Sequence, residues 1–151
     1  MRVSAKVDYA LRAAAELAAA GGEPVKREVI AGAQGIPIQF LEQILLALKR
    51  AGIVRARRGP EGGYWLARPA AEVTLAEIIR AVEGPLANVQ GGKPEDVSYS
   101  GSAEALQLVW IAVRANLRAV LENVTLADVA GGRLPRRVMT LTKNPDAWET
   151  R

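Results

Sequence analysis

KREVIAGAQGIPIQFLEQILLALKRAGIVRARRGPEGGYWLA, residues 26–67, holds the pattern that decides the fold. Lys26 to Gln34 reads as a short helix with Val29, Ile30 and Ala33 as its apolar side. Gly35-Ile36-Pro37 makes a tight turn, since glycine ends helices and proline pre-sets the start of the next. A second helix follows from about Ile38 to Ala51, with Leu41, Ile44, Leu45 and Leu48 at i, i+3, i+4 and i+7 facing the core. Gln39, Glu42, Gln43 and Leu46 share its opposite face, a polar stripe that a recognition helix needs and that any solvated surface helix also shows, and Gly52 ends it. Ile53 to Arg58 alternates apolar and basic residues, the period of a half-buried strand. Gly59-Pro60-Glu61-Gly62-Gly63 is a turn, and Tyr64-Trp65-Leu66-Ala67 returns as a second strand. Helix, short turn, helix and hairpin in that order predict a winged helix-turn-helix.

Upstream, Ser4 caps a helix to about Ala20, with Val7, Ala10, Leu11, Ala14, Leu17 and Ala18 at helical spacing, and Gly21-Gly22 stops it. Downstream, Thr74-Leu75-Ala76-Glu77 is a capping box leading into Ile78, Ile79 and Val82, and Gly84-Pro85 ends that helix. From Ala87 to Ser102 the pattern dissolves into turn-forming and polar residues and reads as a loop. Ser102 is then expected to cap a long helix to about Glu122. Leu106, Val109, Trp110, Val113, Leu117, Val120 and Leu121 form a near-heptad seam along it. Leu108, Ile111, Ala112, Ala115 and Ala119 make a second apolar side, so this helix must be covered twice, once by its own domain and once by something else. Thr125-Leu126-Ala127-Asp128 opens a last short helix stopped by Gly131-Gly132, and Arg133 to Arg151 shows no period and is expected to be flexible.

The composition is that of a folded soluble chain, 50% hydrophobic and 24% charged. Cysteine and histidine are both absent, which removes disulfides, thiol chemistry, cysteine-ligated zinc and iron–sulfur clusters, and the usual catalytic triads. No metal site and no cofactor are expected. The first residues lack the apolar core of a signal peptide and no run is long enough to span a bilayer, so the expected location is the cytoplasm, without a membrane partner. Residues 1–68 hold 11 lysines and arginines against 6 acidic residues, while residues 69–151 hold 9 against 10. A basic half fits either a polyanion partner or a solvated basic surface.

The chemistry of individual residues favours duplex DNA. The major groove admits one helix, where Gln39 and Gln43 suit adenine and Glu42 can accept from the cytosine amino group, with Ile38 at the start of the same helix. A carboxylate is repelled by phosphate, so Glu42 on this face points to base rather than backbone contact. In the hairpin, Arg55, Arg57 and Arg58 precede the slim tip Gly59, Pro60, Gly62 and Gly63, followed by Tyr64, a combination suited to the minor groove. A turn needing positive φ explains the glycines but not three arginines on one strand. Arg2, Lys6 and Tyr9 lie where the first helix begins, a place that attracts phosphate, though capping and packing would account for Tyr9 equally well.

These motifs also resemble the Rrf2 family of bacterial regulators. The resemblance rests on Met1-Arg2-Val3-Ser4-Ala5-Lys6 with Tyr9-Ala10-Leu11, on Phe40-Leu41-Glu42-Gln43-Ile44-Leu45 with Leu48-Lys49-Arg50-Ala51-Gly52, on Arg58-Gly59-Pro60-Glu61-Gly62-Gly63-Tyr64, and on Ala81-Val82-Glu83-Gly84-Pro85-Leu86, and it covers about residues 1 to 130. It implies a mainly α-helical fold with a small β-hairpin: a winged helix-turn-helix domain plus a long dimerisation helix. It also implies base contacts from Gln39 and Glu42 and a wing contact from Arg58. Cluster-binding members carry three cysteines in the loop before the long helix. Residues 88–101 here contain none, so the chain looks like the cluster-free branch, of the cysteine-metabolism repressor type.

The resulting division is 1–84 as the DNA-binding domain and 85–102 as a loop in the family's sensory position. Residues 103–130 form the dimerisation helix with a short terminal helix, and 131–151 the tail. The expected function is a homodimeric, sequence-specific repressor on a roughly palindromic operator in double-stranded DNA. The alternative is a winged-helix module whose main partner is another, regulatory protein. An enzyme is the weakest reading, because Glu95-Asp96 in the loop has no second site to work with.

Overall fold

The fold is assembled around a helix of small residues. A computed structural model describes residues 1–151. The Ser4 hydroxyl accepts from the Val7 amide at 3.1 Å and starts α1 (Ala5–Ala19), which buries Val7, Ala10, Ala13, Ala14 and Leu17. Three alanines on that face let neighbouring helices approach closely, and α1 packs against four of them.

Lys26 precedes α2 (Arg27–Gln34), which ends on Gly35 in the left-handed conformation, φ 62°. Its inward residues are Ile30 and Ala31; Val29, 57% exposed, and Ala33 point outward, contrary to the apolar side expected from the sequence. Eight residues make barely two turns before the chain turns sharply into α3 (Ile38–Arg50), too short a stretch to fix which side faces in. Leu41, Ile44, Leu45 and Leu48 of α3 are fully buried, as their spacing predicts.

The hairpin pairs β1 (Val54–Arg57) antiparallel to β2 (Gly63–Leu66), with Arg57 opposite Gly63 and Val54 opposite Leu66. Val25 adds a third rung, exchanging both backbone hydrogen bonds with Tyr64 at 2.9 and 2.8 Å. The wing is therefore stitched to the segment that leads into α2.

The capping box at Thr74 and Glu77 opens α4 (Leu75–Glu83), and a second one at Thr125 and Asp128 opens α6 (Leu126–Gly131). The two caps face each other across an antiparallel bridge, in which the Leu75 amide donates to the Val124 carbonyl and Leu126 to Val73. This clasp returns the chain to the winged unit. Leu126 joins Val7, Leu45 and Ile78 in one core and Val124 is buried too, so 124–126 packs with the first 84 residues although it follows the long helix.

That helix, α5 (Leu106–Leu121), buries no residue. Ser102 does not cap it. Gly101, at φ 59°, folds 101–103 into a tight turn that already contains Ser102, and the helix starts after Ala105 without a side-chain cap. The loop before it is held to one side of α5: Gln107 donates to the Val97 carbonyl at 2.8 Å, Trp110 Nε1 to the Tyr99 hydroxyl at 2.9 Å, and Arg114 pairs with Glu95. Trp110, Val113, Leu117, Val120 and Leu121 are half-buried, whereas Leu106, Leu108, Val109, Ala112 and Ala115 face outward. The terminal segment, read as aperiodic, contains α7 (Arg136–Thr142) after Pro135 and a tight turn at Pro145–Trp148; neither buries a residue. Seven helical residues are too few to show a period, but a proline with φ −55° pre-sets such a start.

Candidate nucleic-acid interface

Because its inward row is locked in the core, α3 presents the opposite row rigidly. Ile38, Gln39, Phe40, Glu42, Gln43 and Leu46 are all exposed. Glu42 is not free: its carboxylate pairs with Arg27 at the start of α2. Arg27 also holds Glu28, Nε to Oε1 at 2.9 Å, and these two carboxylates raise the guanidinium pKa, with the Glu28 hydrogen bond the larger cause. The same bond holds the Glu28 carboxyl below the usual range.

Tyr9 is half-buried and meets Phe40 edge-on, ring centroids 6.0 Å apart at 63°. The Arg12 guanidinium lies over Tyr9 at 4.9 Å from the centroid and pairs with Asp8 at 2.9 Å. The Tyr9 ring therefore braces α3 against α1, while Lys6 stays exposed on the first turn of α1.

In the wing, Val54 points inward and Arg55 and Arg57 outward. The Gly62 amide donates to the Gly59 carbonyl at 3.0 Å and closes the tip. Here the glycines answer to close contact more than to turn geometry. A Cβ on Gly62 would lie 2.0 Å from the Arg57 carbonyl oxygen, and one on Gly63 would lie 2.7 Å from that of Val25. Lys26 donates to the Gly59 carbonyl from below, and Arg57 reaches the Glu61 carbonyl at 3.4 Å.

Between the wing and α2 lies an open cleft of about 480 Å³ in which Lys26, Arg27, Arg57 and Arg58 surround a single carboxylate, Glu28. Lys26 gives α2 no side-chain cap, so the first-turn amides add to the pull on an anion. Lys26 and Arg27 were missed by the sequence reading; the one local sign is that Lys26 stands just before α2 and Arg27 opens it, where a helix start attracts anions.

The fold thus gathers Arg57, Arg58, Gly59, Gly63 and Tyr64 with Lys26 and Arg27, and joins them through Arg27 to Glu42. It does not gather every candidate there. Arg55 lies at the base of the hairpin beside Lys49 and Gly52, and Arg2 lines a separate cleft with Glu83 and Leu117.

The Rrf2 family profile, described as "Iron-dependent Transcriptional regulator", matches residues 3–132. The Mycobacterium tuberculosis protein Rv1287, whose name places it among HTH-type transcriptional regulators, is 51% identical over 151 residues, 99% of this chain and 94% of the relative. The solved structure of CymR, the global cysteine regulator of Bacillus subtilis, superposes with a TM-score of 0.73 at 32% identity, covering 87% of this chain and 97% of CymR. That of T. potens IscR gives 0.68 at 30% identity, covering 100% and 93%.

The iron in the family description finds no fit here. The chain has no thiol or imidazole ligand, no three carboxylates stand together, and Glu95 in the loop is held by Arg114. Its own backbone amide and Arg114 keep that carboxyl below the usual range. With an outward polar row on a fixed helix, a cationic wing and this likeness over nearly its whole length, the chain belongs to the Rrf2 family of DNA-binding transcription regulators, which are not enzymes.

Proposed function

We infer that the chain is a homodimeric repressor that reads a roughly palindromic operator without an iron–sulfur cluster. The observation that carries this reading is the junction of α3, the start of α2 and the wing, where Arg27 links Glu42 to the cationic cleft of Lys26, Arg57 and Arg58. In this reading Gln39, Glu42 and Gln43 meet base edges in the major groove, and the wing arginines enter the neighbouring minor groove. Lys26 and Arg27 take the phosphates between them. Glu42 leaves Arg27 when a cytosine amino group replaces it. No single helix is long and apolar enough to cross a membrane, which agrees with a cytoplasmic place of work.

The bare outward side of α5 supports pairing of two copies: Leu108 is 70% exposed and Val109 47%. Pairing two such helices about a two-fold axis sets two reading helices about one helical turn (~34 Å) or a multiple apart. The same bare side supports a second reading, a docking face for another regulatory protein. Sedimentation of the pure protein separates them, because a concentration-dependent dimer supports the first and a strict monomer the second.

The decisive experiment is a gel shift on DNA upstream of the protein's own gene against random duplex at moderate salt. The expected outcome is a clear preference for the upstream fragment, and equal binding to both would overturn the operator reading. Arg58→Ala should weaken binding to both sequences. Glu42→Ala should relax base preference, at about 1–3 kcal/mol of discrimination.

A further inference from the structure

Apart from the clefts of the wing, the first residues of the chain close one side of a cleft of about 330 Å³. Its other sides are the end of α4 with the turn through Leu86 and Asn88, and the α5 residues Leu117 and Leu121. The volume falls at the small end of the range that holds small molecules. Most of the lining is apolar, with Val7 and Ile79 contributing from α1 and α4.

Two charges of opposite sign stand in this apolar setting, Arg2 and Glu83. Neither makes an ion pair, with the other or with any other residue; several surface arginines share that state, and what sets this pair apart is that both line one apolar cleft. A guanidinium and a carboxylate that line one apolar cleft can together take a ligand carrying both charges. The cleft wall adds an independent sign. The chain's two non-glycine residues with positive φ are Ala87, at 56°, in this cleft, and Gln90, at 51°, in the adjoining one formed with Trp110 and Val113. Strained backbone of this kind clusters at ligand clamps and switch segments.

We propose that this cleft binds a small zwitterion of the α-amino-acid class with a compact apolar side chain. Its carboxylate lies on Arg2, its ammonium on Glu83 and the Asn88 carbonyl, and its side chain against Ile79 and Leu117. The occupant would touch the start of α1, the end of α4 and the last turns of α5 at once, so it would tie the DNA-reading unit to the helix proposed to pair the two copies. The site itself does not depend on the operator reading, and its test needs no DNA.

The test is calorimetric titration of the full chain with the common L-α-amino acids, one at a time. At least one should bind, and its N-acetyl derivative and its amide, each lacking one charge, should bind about tenfold more weakly or worse. Arg2→Ala and Glu83→Gln should each cause a comparable loss, with thermal unfolding of both variants unchanged. Absence of binding by every amino acid at millimolar concentration would overturn the proposal. So would equal binding of the neutralised derivatives, or binding indifferent to both substitutions. If Glu83→Gln instead alters sedimentation and no amino acid binds, the cleft is filled by a second copy of the chain and the proposal fails. A failed gel shift would leave all these outcomes readable.

Discussion

The winged unit and α5 satisfy their apolar residues in opposite ways. In α1, α3 and α4 each helix hides one face, and the row Leu41, Ile44, Leu45 and Leu48 is completely out of solvent. Helix α5 is the longest in the chain, carries apolar residues on two sides and buries none of them. The contrast teaches that the unit that folds and the apolar surface left exposed are different parts of this chain. The first is closed by the returning segment 124–126 and its bridge to Thr74, and the second is left open.

The sharpest way to break this contrast is to make the same deletion in both regions. Leu45→Ala removes a fully buried side chain and should cost about 2–5 kcal/mol in urea unfolding. Leu108→Ala removes one that is 70% exposed. At a dilution that keeps the protein monomeric, it should change stability by no more than about 0.5 kcal/mol. Equal losses would mean that α5 belongs to the core, and the distinction would collapse.

A smaller effect tests how the wing is attached. Gly63→Ala forces a Cβ to within 2.7 Å of the Val25 carbonyl oxygen at a φ of 149°, whereas Gly59, at φ 103°, has open space around it. Both substitutions strain the backbone by about 1–3 kcal/mol, but only the first also pushes the rung apart. Hydrogen exchange of the Tyr64 amide, which donates to Val25 at 2.8 Å, should quicken in Gly63→Ala and stay slow in Gly59→Ala. Equal quickening in both would place the effect in the tip rather than in the rung.

What could be read from the sequence follows the same divide. The α3 row was legible because four full burials at helical spacing leave one solution, and both helix starts after Thr74 and Thr125 carry their own chemistry. The side of α2 was misread because eight residues show too little of the period for Val29 to be told from Ile30. Lys26 and Arg27 were missed because their roles come from distant partners, Gly59 for one and Glu42 for the other. The seam along α5 was legible as apolar. Which half of it the chain's own loop takes depends on Gln107, Trp110 and Arg114 gripping that loop, and no local pattern states this.

A further modest loss is expected at the clasp that closes the winged unit, the paired caps at Thr74 and Thr125. Thr74→Ala should cost about 1 kcal/mol, the usual worth of a cap. Its partner Glu77 gives the clasp a pH signature. Burial alone would raise that carboxyl, but the Thr74 amide at 2.9 Å and the Arg68 guanidinium outweigh it and hold it below its ordinary value. A carboxyl depressed in the folded state contributes stability that is present above the ordinary glutamate value of 4.5 and lost as pH falls through the depressed one. Glu77→Gln should therefore lower the melting temperature near neutral pH, and the gap to the parent should narrow on acidification through that window. The narrowing separates the carboxylate from mere side-chain packing, which glutamine would preserve at every pH. A constant gap across the window would mean that Glu77 holds the clasp by shape, and that the charge on Arg68 contributes nothing to closing the winged unit.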